Sequence, residues 1–211
     1  EGGGLWSKQH IARMLAFGGG SAAAQVFRET LTKTYAGKSV APEDDAILSY
    51  MPELCGVLAH RNDDALRFLV DASHPEFWLA QRLWESDVRQ VSVRIVTGAC
   101  IAGLGLSARQ EAREELDWYR NHPEEVRVTE PGGTEDSLEG SVVYAAFMMT
   151  IVQDLGIEAA MDDVFYDPDL MLSRFRDWRK TPEGVAWCTW AAGAEQGAVE
   201  RSGKKAEGAK P

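Results

Sequence analysis

The chain is predicted to be all-α, and three observations carry that expectation. Apolar residues recur at three- and four-residue spacing along most of its 211 residues. Strand signals are nearly absent. Paired helical segments return with a regular period, in the manner of a short array of about four helix–turn–helix units.

Taken in order, Ile11, Met14 and Leu15, then Val26, Phe27 and Leu31, mark two amphipathic helices parted by Gly18-Gly19-Gly20. A second pair follows: Ile47, Leu48, Met51, Leu54 and Leu58, a polar turn at His60-Arg61-Asn62-Asp63, then Ala65, Leu66, Phe68 and Leu69. Val91, Ile95, Cys100, Ile101 and Leu104 open the third pair, which continues through Ala112, Leu116 and Tyr119. The fourth runs from Val142 to Leu155, breaks at Gly156 and resumes at Ala159, Ala160 and Val164. Ser107-Ala108-Arg109-Gln110 and Ser73-His74-Pro75-Glu76 read as capping boxes, and Thr181-Pro182 as a further helix start.

Two markers set the register. The first small residues of the second helices, Ala23, Ala65, Ala112 and Ala159, lie 42, 47 and 47 residues apart. A turn motif, His74-Pro75-Glu76, returns as His122-Pro123-Glu124 and as Asp167-Pro168-Asp169, with prolines 48 and 45 apart. That period is expected of stacked helical pairs. The alternative is a non-repetitive bundle whose alanines and prolines align by accident. The padding at Phe77–Glu85 and Thr129–Ser137 makes the array irregular. Residues 1–7 and 191–211 read as loose ends, because Gly, Ala, Lys and Glu there supply little apolar surface to offset ordering. The folded domain is expected over 8–190.

The runs from Leu58 to Leu66 and from Leu104 to Ala112 resemble HEAT-repeat turns, and Asp87-Val88-Arg89 is similar to the Asp-x-x-Arg flavour of that family. The resemblance implies an α-α superhelix of about four HEAT-like pairs, and it identifies an architecture and not an activity.

Composition narrows the functions. Thirty-three acidic against 22 basic residues give a net charge of −11, which argues against a phosphate-backbone binder and against docking on an anionic membrane. The longest apolar stretch, Val91–Leu106, contains Arg94 and is too short to span a bilayer. Cys55, Cys100 and Cys188 are far apart and read as small core residues of a reducing compartment. Localisation leans to the cytoplasm, although a start at Glu1 leaves processed export open.

No nucleophile elbow, phosphate loop or dinucleotide fingerprint is found. Repeat-built iron hydroxylases of the HEAT type carry His-Glu pairs on their helices. Here a proline separates each His from its Glu, so His74 and His122 read as helix-start residues. Asp162, Asp163, Asp167 and Asp169 lack the order of a calcium loop and read as helix-end chemistry. No catalytic residue, cofactor or metal site is therefore assigned. The expected function is a non-catalytic scaffold binding a protein or peptide partner, with no nucleic acid. The second helices would offer Arg67, Asp71, Arg113, Glu114 and Asp117 on a concave face. The alternatives are a HEAT-like enzyme, metal-dependent or acting on a chromophore, and an acidic immunity- or inhibitor-type protein steering toward a basic target.

Overall fold

A computed structural model describes residues 3–36, 42–81 and 92–208, with side chains over 9–36, 45–81, 92–162 and 167–195. The described residues are all-α apart from one small hairpin. Its elements are α1 (Gly3–Gly18), α2 (Ser21–Tyr35), α3 (Pro42–Ala59), α4 (Asp63–Ala72), α5 (Pro75–Gln81), α6 (Val93–Ser107), α7 (Gln110–Asn121), β1 (Arg127–Thr129), β2 (Glu135–Ser137), α8 (Glu139–Leu155), α9 (Ile157–Tyr166), α10 (Pro168–Trp178) and α11 (Pro182–Gly208).

The core centres on α6, where only Arg94, Ile95 and Ala99 escape full burial. A helix apolar all round needs cover on all sides, and α6 has α3 on one flank, α8 on the other, and α4, α5 and α7 against it as well. Small residues permit the close crossings. A Cβ on Gly103 would meet the Pro52 carbonyl, one on Gly105 the backbone of Ala145, and one on Gly98 the Ser141 hydroxyl.

Contacts run in two rows. The helices α1, α3, α6 and α8 lie side by side in that order, while α2 packs on α4 and α4 on α7. Next to α7 comes α11, through an Arg113–Glu183 ion pair at 2.6 Å and the Arg113 and Arg120 guanidinia over the Trp187 ring. The fourth pair therefore departs from expectation. The helix following α8 does not continue the row of α7; instead, Asp162 of α9 meets Arg13 of α1 at 3.3 Å, so α9 reaches back to the first helix.

Several local expectations need correction. Ala23, Ala65 and Ala112 are buried, but Ala159 is exposed and Ala160 takes the inner place. Ile11, Met14 and Val26 were expected in the core and are 58%, 73% and 45% exposed. Ala12, Ala16, Ala23 and Ala24 face inward instead, because α1 and α2 approach their neighbours through small side chains. Ser107 is no N-cap: its hydroxyl donates to Leu104 O at 2.7 Å, and Arg109 occupies the cap position of α7 without a side-chain bond. Ser73 likewise closes α4, donating to Val70 O. Side-chain caps include Asn62, Ser92, Asp167 and Thr181, which accept from the amides of Ala65, Ile95, Leu170 and Gly184.

The padding at Thr129–Ser137 contributes to a hairpin. Arg127 pairs with Ser137, Val128 with Asp136 and Thr129 with Glu135, and Gly133 turns the chain at φ 82°. Glu130 accepts from Ser92 Oγ at 2.6 Å and from the amides of Val93 and Arg94 at 2.9 Å. A carboxylate from the hairpin thus satisfies the positive end of α6. At the C-terminus the expected loose end begins as helix: α11 continues to Gly208, and Ala194 within it is buried. At the N-terminus α1 starts at Gly3. The Asp87-Val88-Arg89 motif lies outside the described residues.

Candidate functional site

The five residues expected to bind a partner fall into two sets. Arg67 and Asp71 project from α4 into an open groove of about 630 Å³ between α2 and α4. Gln25 and Arg28 line it from α2, and Asp64 and Phe68 from α4. Their order follows from helix geometry, since Asp64, Arg67, Phe68 and Asp71 stand at three- and four-residue spacing on one face. Arg67 is held by Asp64 at 2.5 Å yet is 75% exposed, so the pair presents its charge to solvent.

Arg113, Glu114 and Asp117 occupy α7. Arg113 is committed to packing: it bonds Glu183 of α11, reaches Asp117 at 3.7 Å and lies over Trp187. Glu114 is exposed and accepts from the Gln110 amide at 3.1 Å. The N-termini of α4 and α7 are joined by Arg109, 3.0 Å from both Asp63 and Glu111.

The two histidines of the repeated turn meet around one indole. His74 stands edge-on to Trp118 at 5.0 Å, and His122 stacks on the same ring at 4.7 Å. Their backbone roles differ. Pro75 opens α5, whereas His122 follows the end of α7, donates from Nδ1 to Trp118 O and leads toward the hairpin. The expectation of a helix start holds at His74 and fails at His122. His74 Nε2 lies 2.9 Å from Glu115 Oε1. That carboxylate raises the imidazole pKa above its ordinary value; burial opposes the rise, while Glu76 and Glu125 add to it. Tyr119, stacked beside His74, donates to Ser73 O at 2.5 Å. No group of three or more metal-ligating side chains comes together among the described residues.

Sequence reasoning passed over Glu53. It is half-buried on α3 with Tyr50 one turn before it, and burial pushes its carboxyl up to about 7. The charge of Glu53 in turn helps raise the phenol of Tyr144 on α8, after the larger effect of burial there. A signal was present: Glu53 is the one charged residue in the apolar run Tyr50–Leu58, and an acid in that setting needs a reason. Buried Cys55 and Cys100 also have raised pKa values, which makes them poor nucleophiles.

No protein family, curated protein or solved structure matches the chain. No helix among the described residues is long and apolar enough to cross a membrane.

Proposed function

We propose that the chain is a HEAT-like helical array that serves as a non-catalytic binding module for a protein or peptide partner. The supporting observation is the α2/α4 groove, which carries Arg28, Arg67, Asp64 and Asp71 around the Phe68 ring. Charges of both signs around an apolar floor suit a peptide of mixed charge, because each sign sets register while the floor takes one large side chain. The same balance suits nucleic acid poorly, since two carboxylates face the position a phosphate would take. The row formed by α2, α4 and α7 extends the surface beyond the groove.

The experiment is selection of displayed random peptides on the full chain, followed by calorimetry of the winners. Arg67→Glu and Asp71→Lys, both at exposed positions, should each weaken binding about tenfold or more without moving Tm. Winners that bind both variants as tightly as the parent, or a selection that enriches nothing, would overturn the reading.

A further inference from the structure

The charged residues of the α2/α4 groove are not alike. Arg67 is tied back along its own helix, donating to the Asp64 carboxylate at 2.5 Å and to the Asp63 carbonyl at 3.4 Å, so the Arg67 and Asp64 charges offset each other locally. Gln25 likewise donates along α2 to the Glu29 carboxylate at 2.6 Å. Arg28 and Asp71 are different. Both are exposed and line the groove, and neither side chain has a hydrogen-bond or ion-pair partner among the described residues. The two helices run parallel: Tyr35 at the end of α2 meets the Trp78 ring at 5.1 Å, and Trp78 donates to the carbonyl of Ala72, the last residue of α4. Arg28 is the last lining residue of α2 and Asp71 the last of α4. Two unpaired charges of opposite sign therefore stand at the same end of the groove, on opposite walls, without closing on each other.

We propose that the groove selects a partner segment of three extended residues, apolar, basic and acidic in succession, with the acid on Arg28 and the base on Asp71. This rests on the peptide-binding reading above and adds which peptides are chosen. Ser21–Arg28 and Asp64–Asp71 each cover seven residue steps of helix, so the walls are about 10 Å long. At about 3.3 Å per residue, three extended residues fill that length. Their side chains alternate between the two walls. The first and third point to α2, where Ala22 and Ala24 leave room for a large apolar group and Arg28 receives the acid. The middle one points to α4, where its cation reaches Asp71.

Segments of a single sign are poorer occupants. A run of acids meets Arg28 but is repelled by Asp71, a run of bases meets the reverse, and the Asp64–Arg67 pair adds no net charge to tip either way. Such repulsion discriminates between partners more than attraction does. A helical segment fits less well, since its adjacent side chains stand about 100° apart and not on opposite sides.

The test pans one library of displayed random peptides on the full chain and on the exchanged variant Arg28→Asp/Asp71→Arg, which keeps the net charge. The parent should enrich the succession apolar, basic, acidic, in either chain direction, and the variant the succession apolar, acidic, basic. Transposing the two charges in the best parent peptide should cost about tenfold or more in affinity on the parent and restore it on the variant. The proposal is overturned if parent winners show no such succession, if the transposed peptide binds the parent as tightly, or if the variant binds parent winners unchanged. Winners without charge order that are still weakened by Asp71→Lys overturn this selectivity and leave the peptide-binding reading standing. A library that enriches nothing on the parent overturns both. Should the exchanged variant melt early, the transposed peptide on the unaltered chain decides alone.

Discussion

A β-carbon placed on Gly56 would fall on the carbonyl oxygen of Gly103. The two glycines set how closely α3 and α6 cross, and nothing flexible lies at the point of contact. Gly56→Ala must separate two backbones at the centre of the core. It is expected to destabilise by about 3 kcal/mol or more, at the upper end of overpacking effects. Urea unfolding would check this, and a loss below about 1 kcal/mol would mean that the helices slide apart easily.

Glu130 holds the start of the central helix from a distance in sequence. Three donors converge on its carboxylate, two of them backbone amides of α6. Glu130→Gln keeps the shape but removes the charge that complements the helix dipole, so a loss of about 1–2 kcal/mol is expected. Amide exchange at Val93 and Arg94 should quicken in the same variant, whereas α11 should be unaffected.

The His74–Glu115 contact predicts a pH signature. The folded imidazole titrates above its ordinary value, so the stabilisation is complete below about pH 6.5 and is lost as pH rises through the folded pKa. The stability gap between the parent and His74→Gln should be about 1 kcal/mol larger at pH 5.5 than at pH 9, a modest figure because the ring is 31% exposed. A gap constant across that range would show that the ring acts through packing with Trp118 alone.

Glu53 predicts a trend of the same sign from a different cause. Its folded pKa of about 7 lies above the ordinary 4.5. The neutral acid is thus favoured in the fold, and stability declines as pH rises from about 4.5 to about 7, levelling off above. Glu53→Gln should match the parent near pH 4 and exceed it at pH 8, by on the order of 2 kcal/mol, since the side chain is only half-buried. Thermal melts at the two pH values give the answer, and a variant less stable at pH 8 would contradict the burial argument.

Helix period made the paired segments from α1 to α9 legible, because amphipathic spacing reflects a buried face. It misplaced the inner face of α1, where alanines and not Ile11 or Met14 touch the core. Periodicity weights large apolar residues, whereas close helix crossings select small ones. The hairpin stayed hidden because each strand has only three residues and one of them reads Glu-Asp-Ser. Arg67 and Asp71 could be placed on one helix from spacing alone. The pairing of Arg113 with Glu183 could not, since it depends on α11 taking the position expected for α9. Glu53 was missed because its chemistry arises from tertiary burial, which no local pattern records.

The return of α9 to α1 bears on how the chain comes to be folded. An open array can zip from either end, since each unit touches only its neighbours. In this protein the first helix meets a segment almost 150 residues downstream, so that contact exists only once Asp162 has been synthesised. Such long-range closure slows folding and couples the two ends. A truncation after α8 should consequently release Arg13 from Asp162 while α1 keeps its packing on α3.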